Sequence, residues 1–213
     1  MDLRIVDHPL VRTKLARLRD RATGNADFRR LVGELAGLLV FEATRGLATR
    51  PIDVDTPLER TTGAALAKPL TVVPILRAGL GLADGVLRMV PEAKVGHVGV
   101  YRNETSLEPV PYYAKFPPEI AEGTVLLVDP MLATGGTAVH TLTLLKKRGC
   151  RDIVFVVLVA APAGVARVQA AHPDVPVYAA SLDRELSKDG RILPGLGDAG
   201  DRIFGTEHAP VQG

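Results

Sequence analysis

The stretch Val125 to Thr137, V-L-L-V-D-P-M-L-A-T-G-G-T, holds residue types suited to a phosphorylated sugar. An apolar run of strand length ends in the carboxylate of Asp129, and a short T-G-G-T loop leads into an amphipathic helical pattern. Glycines let a backbone approach its ligand closely, and the N–H groups of the loop and first helical turn point at an anion. A carboxylate at the carboxyl end of a strand can accept hydrogen bonds from sugar hydroxyls, in the place where open α/β sheets bind ligands. Two common nucleotide loops are excluded. No Lys follows the glycines as a G-x-x-x-x-G-K-[ST] loop requires, and the G-x-G-x-x-G spacing is missing. Taken alone, the Gly-Gly pair also reads as a plain turn.

A second loop, P-I-L-R-A-G-L-G (Pro74 to Gly81), also leaves a strand pattern for a helical one. Its glycines and the guanidinium fork of Arg77 match the oxygens of a diphosphate, although Arg77 alone could be a surface residue on a glycine-rich turn. A sugar bearing a diphosphate needs two anion sites on neighbouring strand ends, so the two loops support each other. The third feature is R-I-L-P-G-L-G-D-A-G-D-R-I-F-G-T (Arg191 to Thr206), whose glycines and proline predict irregular structure. Such a loop can read a small planar molecule through main-chain donors and acceptors; it also reads as an irregular tail.

The elements that must position these loops follow from periodicity. Helical patterns begin at Pro9 and at Asn25, the second with Phe28, Leu31, Val32, Leu35, Leu38, Leu39 and Phe41 near a 3.6 period. Further helices are predicted over Leu80 to Met89, Ala138 to Arg148 and Gly164 to Ala171. Between them lie strand candidates at Thr71 to Leu76, Val95 to Tyr101, Val125 to Val128, Ile153 to Val159 and Val175 to Ala180. Val/Ile/Leu-rich runs alternating with helices predict an α/β fold with a central, mainly parallel sheet covered on both faces. Pro51 and Pro57 mark an extended connection. The segment from Asn103 to Pro118, with its prolines and paired tyrosines, predicts a hairpin-like arm. A lid is the favoured role for it, with a dimer-contact arm as the alternative.

Bulk properties narrow the function classes. With 213 residues, 46% hydrophobic and 23% charged, the chain suits one globular domain over 1–213. A net charge of +2 makes no case for nucleic acid. No apolar stretch reaches about 18 residues, so no membrane span is expected, and the first residues lack the layout of a secretory signal. The lone Cys150 excludes an intrachain disulfide and fits a reducing, cytoplasmic setting; it reads as a small buried filler. His8, His97, His140, His172 and His208 lack ligand spacing, so no transition-metal site is expected.

The motif D-P-M-L-A-T-G-G-T resembles the 5-phosphoribosyl-1-pyrophosphate (PRPP) motif of type I phosphoribosyltransferases. Pro130, where the commoner form has a second acid, is similar to the version in uracil phosphoribosyltransferases. The resemblance runs along the chain through H-P-L-V-R-T-K-L, E-A-T-R (Glu42 to Arg45), P-I-L-R-A-G-L-G, V-Y-R-N-E-T and G-L-G-D-A-G-D-R-I-F-G-T. It implies transfer of a phosphoribosyl group from PRPP to N1 of uracil, giving UMP and pyrophosphate. By this resemblance PRPP is contacted by Arg77, Arg102, Asp129, Pro130, Met131, Leu132, Ala133, Thr134, Gly135, Gly136, Thr137 and Asp198, with Asp129, Arg77 and Arg102 carrying the chemistry. Uracil contacts fall to Ile192, Gly197, Asp198 and Ala199, within a base-binding hood over 181–206. The resemblance also implies a cis peptide between Leu76 and Ala78. Magnesium is expected to arrive with PRPP near Asp198, with no metal held by the protein alone. A homodimer or homotetramer and activation by GTP are further implications.

Two departures from the family pattern stand out: Thr137 replaces the usual Ser and keeps its hydroxyl, and Arg191 stands where Tyr is common. Two other readings share the PRPP cradle. A PRPP-sensing regulator would need a basic face or helix-turn-helix, which the charge balance and pattern do not supply. A phosphoribosyltransferase for a purine would need more room, and often a stacking aromatic, in the C-terminal loop.

Overall fold

The computed structural model describes residues 2–102 and 109–206. In chain order the elements are β1 (Leu3–Ile5), α1 (Pro9–Arg19), α2 (Asn25–Ala43), β2 (Thr49–Asp55), β3 (Arg60–Leu66), β4 (Leu70–Leu76), α3 (Leu80–Met89), β5 (Lys94–Val95) and β6 (His97–Arg102). After β7 (Pro109–Lys115) come β8 (Thr124–Leu132), α4 (Gly136–Lys147), β9 (Asp152–Ala160), α5 (Pro162–Ala171), β10 (Val177–Leu182), β11 (Glu185–Leu186), β12 (Ile192–Leu193) and α6 (Ala199–Phe204).

The main sheet has the order β1-β10-β9-β8-β4-β6-β7, with β5 also paired to β4. Every pairing in it is parallel except β6 with β7. Side chains alternate across the strands. Leu126, Val128, Val154 and Val156 face a core shared with α1, α2, α3 and α6. Val125, Leu127, Ile153 and Phe155 face α4 and α5. Burial on both faces explains the unbroken apolar runs of β8 and β9.

The order in which successive strands are added reverses between β4 and β8. From β4 it passes through α3, on one face, to β5 and β6; from β8 it passes through α4, on the other face, to β9. The carboxyl ends of β4 and β8 therefore flank a crevice from which the two connections diverge, the usual ligand position in such sheets.

Local chemistry sets the helix ends. Pro9 is the first residue of α1, and the His8 side chain caps it by accepting from the Leu10 N–H at 3.1 Å. In α2 the predicted stripe is buried at Phe28, Leu31, Val32, Leu35 and Leu39. Phe41, predicted to share it, is 57% exposed and carries the Arg45 guanidinium over its ring.

Two of the following three segments differ from expectation. The extended connection around Pro51 is one strand of an antiparallel hairpin, β2 with β3, separate from the main sheet. Within the arm predicted over 103–118, β7 pairs antiparallel with β6 as an edge strand of the main sheet, where Pro109 and Pro111 are tolerated. Its residues 103–108 lie outside the described residues. The C-terminal region predicted to be irregular contains β12 and the helix α6, which Asp198 caps by accepting from the Asp201 N–H at 3.0 Å.

Candidate active site at the ends of β4 and β8

The strand leading to Asp129 is longer than predicted. β8 continues to Leu132 and pairs with β9 up to Leu132↔Ala160, so Asp129 sits within the strand. Pairing with β4 ends at Pro74↔Val128, so the missing N–H of Pro130 interrupts no bond on that side. Pro130 and Leu132 are buried, and any ligand contact they make is through main chain or as apolar wall.

Beyond β8 the chain turns through Ala133, Thr134 and Gly135 into α4. Gly135 has φ 79°, and a Cβ there would stand 2.8 Å from the Gly164 carbonyl oxygen. Both the left-handed backbone and the close approach call for glycine. The N-cap of α4 is Gly135, which has no side chain to place on the first turn, an arrangement that suits an anion at the helix N-terminus. Asp129, Met131, Leu132, Ala133, Thr134, Gly135, Thr137 and Ala138 line a depression of about 180 Å³ at this turn.

The Asp129 carboxyl is poorly solvated among these groups, which pushes its pKa from the ordinary 3.8 up to about 7. A 3.5 Å contact from the Met131 N–H opposes that shift only weakly. A carboxyl so placed gains most when sugar hydroxyls or a cation reach it.

The second loop is pressed against the first. A Cβ at Gly79 would lie 2.7 Å from the Val128 carbonyl oxygen and equally close to Ile75 N and O. The loop's peptide bond between Leu76 and Arg77 is cis, within the span the resemblance indicated. The Arg77 side chain is 59% exposed, with Nη2 3.5 Å from Asp201 Oδ1 and its guanidinium over the Phe204 ring. Arg102 ends β6, three residues beyond the Leu76↔Gly99 pair, on the strand next to β4.

The C-terminal hood meets the same crevice. A Cβ at Gly200 would lie 3.3 Å from Asp198 Oδ1, 3.8 Å from the Ala78 Cβ and 3.9 Å from Arg77 Nη2. Ala199 is fully buried and Ile192 nearly so, so any ligand contact from either would be through its main chain. Gly195 and Gly197 have φ 64° and 80°, which turn the chain between these segments.

Arg202, not singled out from sequence, holds α6 in place. Its Nη1 donates to the Leu18 and Leu196 carbonyls at 2.9 and 2.7 Å, its Nη2 to the Asp20 carbonyl at 2.6 Å, and its guanidinium lies 4.2 Å from the Phe28 ring centre.

The structure thus gathers Asp129 to Thr137, Arg77 and the Ile192 to Ala199 segment at one end of the sheet. A larger cavity of about 820 Å³, lined in part by Arg4, His8, Arg45 and Lys68, lies among residues that begin the strands, such as Leu70, Thr124 and Asp152. It lacks both glycine loops, and the chemistry favours the carboxyl ends. Among the described residues no cluster of three or more His, Cys, Asp or Glu could hold a metal ion, and no helix is long and apolar enough to cross a membrane.

Comparison with known proteins finds relatives along nearly the whole chain. A family model described as uracil phosphoribosyltransferase matches residues 5–206. A uracil phosphoribosyltransferase of Acholeplasma laidlawii is 55% identical over 203 residues, spanning 95% of this chain and 98% of that protein. Another, from Listeria innocua, is 53% identical over 207 residues, spanning 97% and 99%. Among solved structures, the AQ2163 protein of Aquifex aeolicus superposes with a TM-score of 0.93 at 35% identity, covering 97% of this chain and all of that one. Adenine phosphoribosyl transferase from Trypanosoma brucei shares the fold at a TM-score of 0.57 and 11% identity, covering 87% of this chain and 84% of that one.

Proposed function

The chain belongs to the uracil phosphoribosyltransferase family, and we propose that its two glycine loops hold opposite ends of PRPP while the hood presents uracil. The overall reaction is transfer of the 5-phosphoribosyl group from PRPP to N1 of uracil, yielding UMP and pyrophosphate. The C1′–O bond to the diphosphate breaks, the N1–C1′ bond forms, and the N1 proton is released.

The observation that carries the assignment of residues is the contact of the Gly79 turn with the β8 carbonyl just before Asp129. It brings two anion sites to adjacent strand ends, as one molecule with a phosphate at each end requires. In this reading Ala133 to Thr137 receive the 5′-phosphate through their N–H groups, and Pro130, Met131 and Leu132 form the wall beneath the sugar. Asp129 accepts from the ribose hydroxyls. Arg77, with Arg102 from β6, takes the diphosphate and offsets the negative charge that grows on it as the bond breaks. Main-chain groups at Ile192, Gly197, Asp198 and Ala199 meet the N3–H and flanking carbonyls of uracil.

Magnesium arriving with PRPP would be held by the diphosphate oxygens, with the Asp198 carboxylate as the protein group suited to it. When bound, it would neutralise diphosphate charge.

The exposed β2–β3 hairpin, with Leu58 95% and Val54 36% exposed, supports assembly into a homodimer or homotetramer, which light scattering measures. GTP activation is tested by initial rates with and without the nucleotide. The single buried cysteine supports a cytoplasmic location. The deciding experiment supplies PRPP and magnesium with a panel of pyrimidine and purine bases and follows pyrophosphate release. Release with uracil alone supports the reading, and release with a purine instead would overturn it.

A further inference from the structure

We infer that Arg19 and Asp183 form a latch on Gly195 that sets the main-chain edge presented to uracil, making them positioning residues for base recognition. The inference rests on the reading of the hood as the base site.

Asp183 follows β10, and only 2% of its side chain is exposed. Its Oδ1 accepts from Arg19 Nη2 at 2.5 Å and Ser181 Oγ at 2.7 Å. Its Oδ2 accepts from Arg19 Nη1 at 2.7 Å and the Gly195 N–H at 2.9 Å. Arg19 Nη1 also donates to the Gly195 carbonyl at 2.6 Å. One ion pair, its carboxylate buried and its guanidinium partly so, therefore grips both the N–H and the C=O of a single residue.

Gly195 lies between the two parts of the hood assigned to uracil, Ile192 before it and Gly197 to Ala199 after it. It has φ 64°, and a Cβ there would stand 2.2 Å from the Ile192 carbonyl oxygen, so a small rotation at Gly195 displaces both parts. Arg202 adds a second tie by joining the next carbonyl, Leu196, to that of Leu18 beside Arg19. The end of α1 thus serves as the template on which the hood is set.

Burial works against ionisation of Asp183, yet the hydrogen bonds from Arg19 and Ser181 outweigh it and hold the carboxyl below its usual range. A well-packed apolar pair could supply comparable stability. It could not orient the peptide groups on either side of Gly195. Orientation is what a base read by main-chain groups needs.

The test compares Arg19→Lys, Asp183→Asn and the milder Ser181→Ala by steady-state kinetics in both substrates, with melting temperature alongside. Lysine keeps the charge but lacks the fork that reaches both carboxylate oxygens and the Gly195 carbonyl. The latch predicts that KM for uracil rises about tenfold or more in Arg19→Lys and Asp183→Asn while KM for PRPP changes less than about twofold. Ser181→Ala, which removes one donor and keeps the ion pair, gives a smaller rise of the same kind and serves if the others fail to fold. An unchanged uracil KM in a folded variant would overturn the latch and leave the hood assignment standing. A parallel rise in both KM values would also overturn it, as general loosening. A rise in PRPP KM alone would overturn the hood assignment itself, and the latch with it.

Discussion

Gly79 rests on Val128 so closely that a Cβ there would stand 2.7 Å from the Val128 carbonyl oxygen. That contact joins the turn after β4 to the strand carrying Asp129, and the atoms in the way are backbone atoms that cannot swing aside. Gly79→Ala must therefore push the two loops apart. The expected cost is about 1–3 kcal/mol of stability, with a larger proportional loss in kcat/KM for PRPP than for uracil. Denaturant unfolding and steady-state kinetics on one preparation check both.

Asp129 makes stability depend on pH in a direction opposite to that of a paired carboxylate. Its pKa is about 7 in the fold against an ordinary 3.8, so between about pH 4 and 7 the unfolded chain has released a proton that the folded one keeps. Its contribution to stability is present in full below about pH 4 and declines until about pH 7. Asp129→Asn removes this slope. The variant should match the parent's melting temperature below about pH 4, exceed it at pH 8, and lose most turnover. Equal melting temperatures at pH 8, or near-normal kcat/KM, would remove Asp129 from this role.

Arg77 is mostly exposed and 3.5 Å from Asp201 of α6. Arg77→Ala should change stability by less than about 0.5 kcal/mol while weakening PRPP and pyrophosphate by about tenfold or more. Uracil should be affected far less. Product inhibition by pyrophosphate gives the cleanest readout. A larger effect on uracil would reverse the roles of the two loops.

Gly135 combines φ 79° with a neighbour, the Gly164 carbonyl oxygen, 2.8 Å from where a Cβ would be. Gly135→Ala should cost about 1–2 kcal/mol for the left-handed backbone alone. KM for PRPP should rise through loss of the 5′-phosphate cradle. Inhibition by ribose 5-phosphate, which lacks the diphosphate, isolates this end of the site, and its inhibition constant should rise in parallel.

What could be read in the sequence was what is local. The apolar runs of β8 and β9 and the T-G-G-T loop declare themselves within a dozen residues, because burial on both faces and a glycine turn leave local marks. The hairpin of β2 and β3 was missed because its strands have little buried face; in β2 only Ile52 is even partly covered. The helix α6 was hidden by Gly200 within it and the glycines on either side, since what holds it is the Asp198 cap and the ties from Arg202 to Leu18 and Asp20, two residues far away in sequence. Arg19 and Asp183, 164 positions apart, carry no spacing signal at all. Phe41 fell near the apolar period of α2 yet points outward, because a stripe predicts a face only to within a residue or two.

The central claim is that one PRPP molecule bridges the two loops, and a crystal structure of the complex with PRPP and magnesium tests it most directly. The account predicts the 5′-phosphate among the N–H groups of residues 134–138, the ribose hydroxyls at Asp129 and the diphosphate against Arg77. Density for PRPP in the cavity lined by Arg4, Arg45 and Lys68, or with its ends reversed, would contradict it.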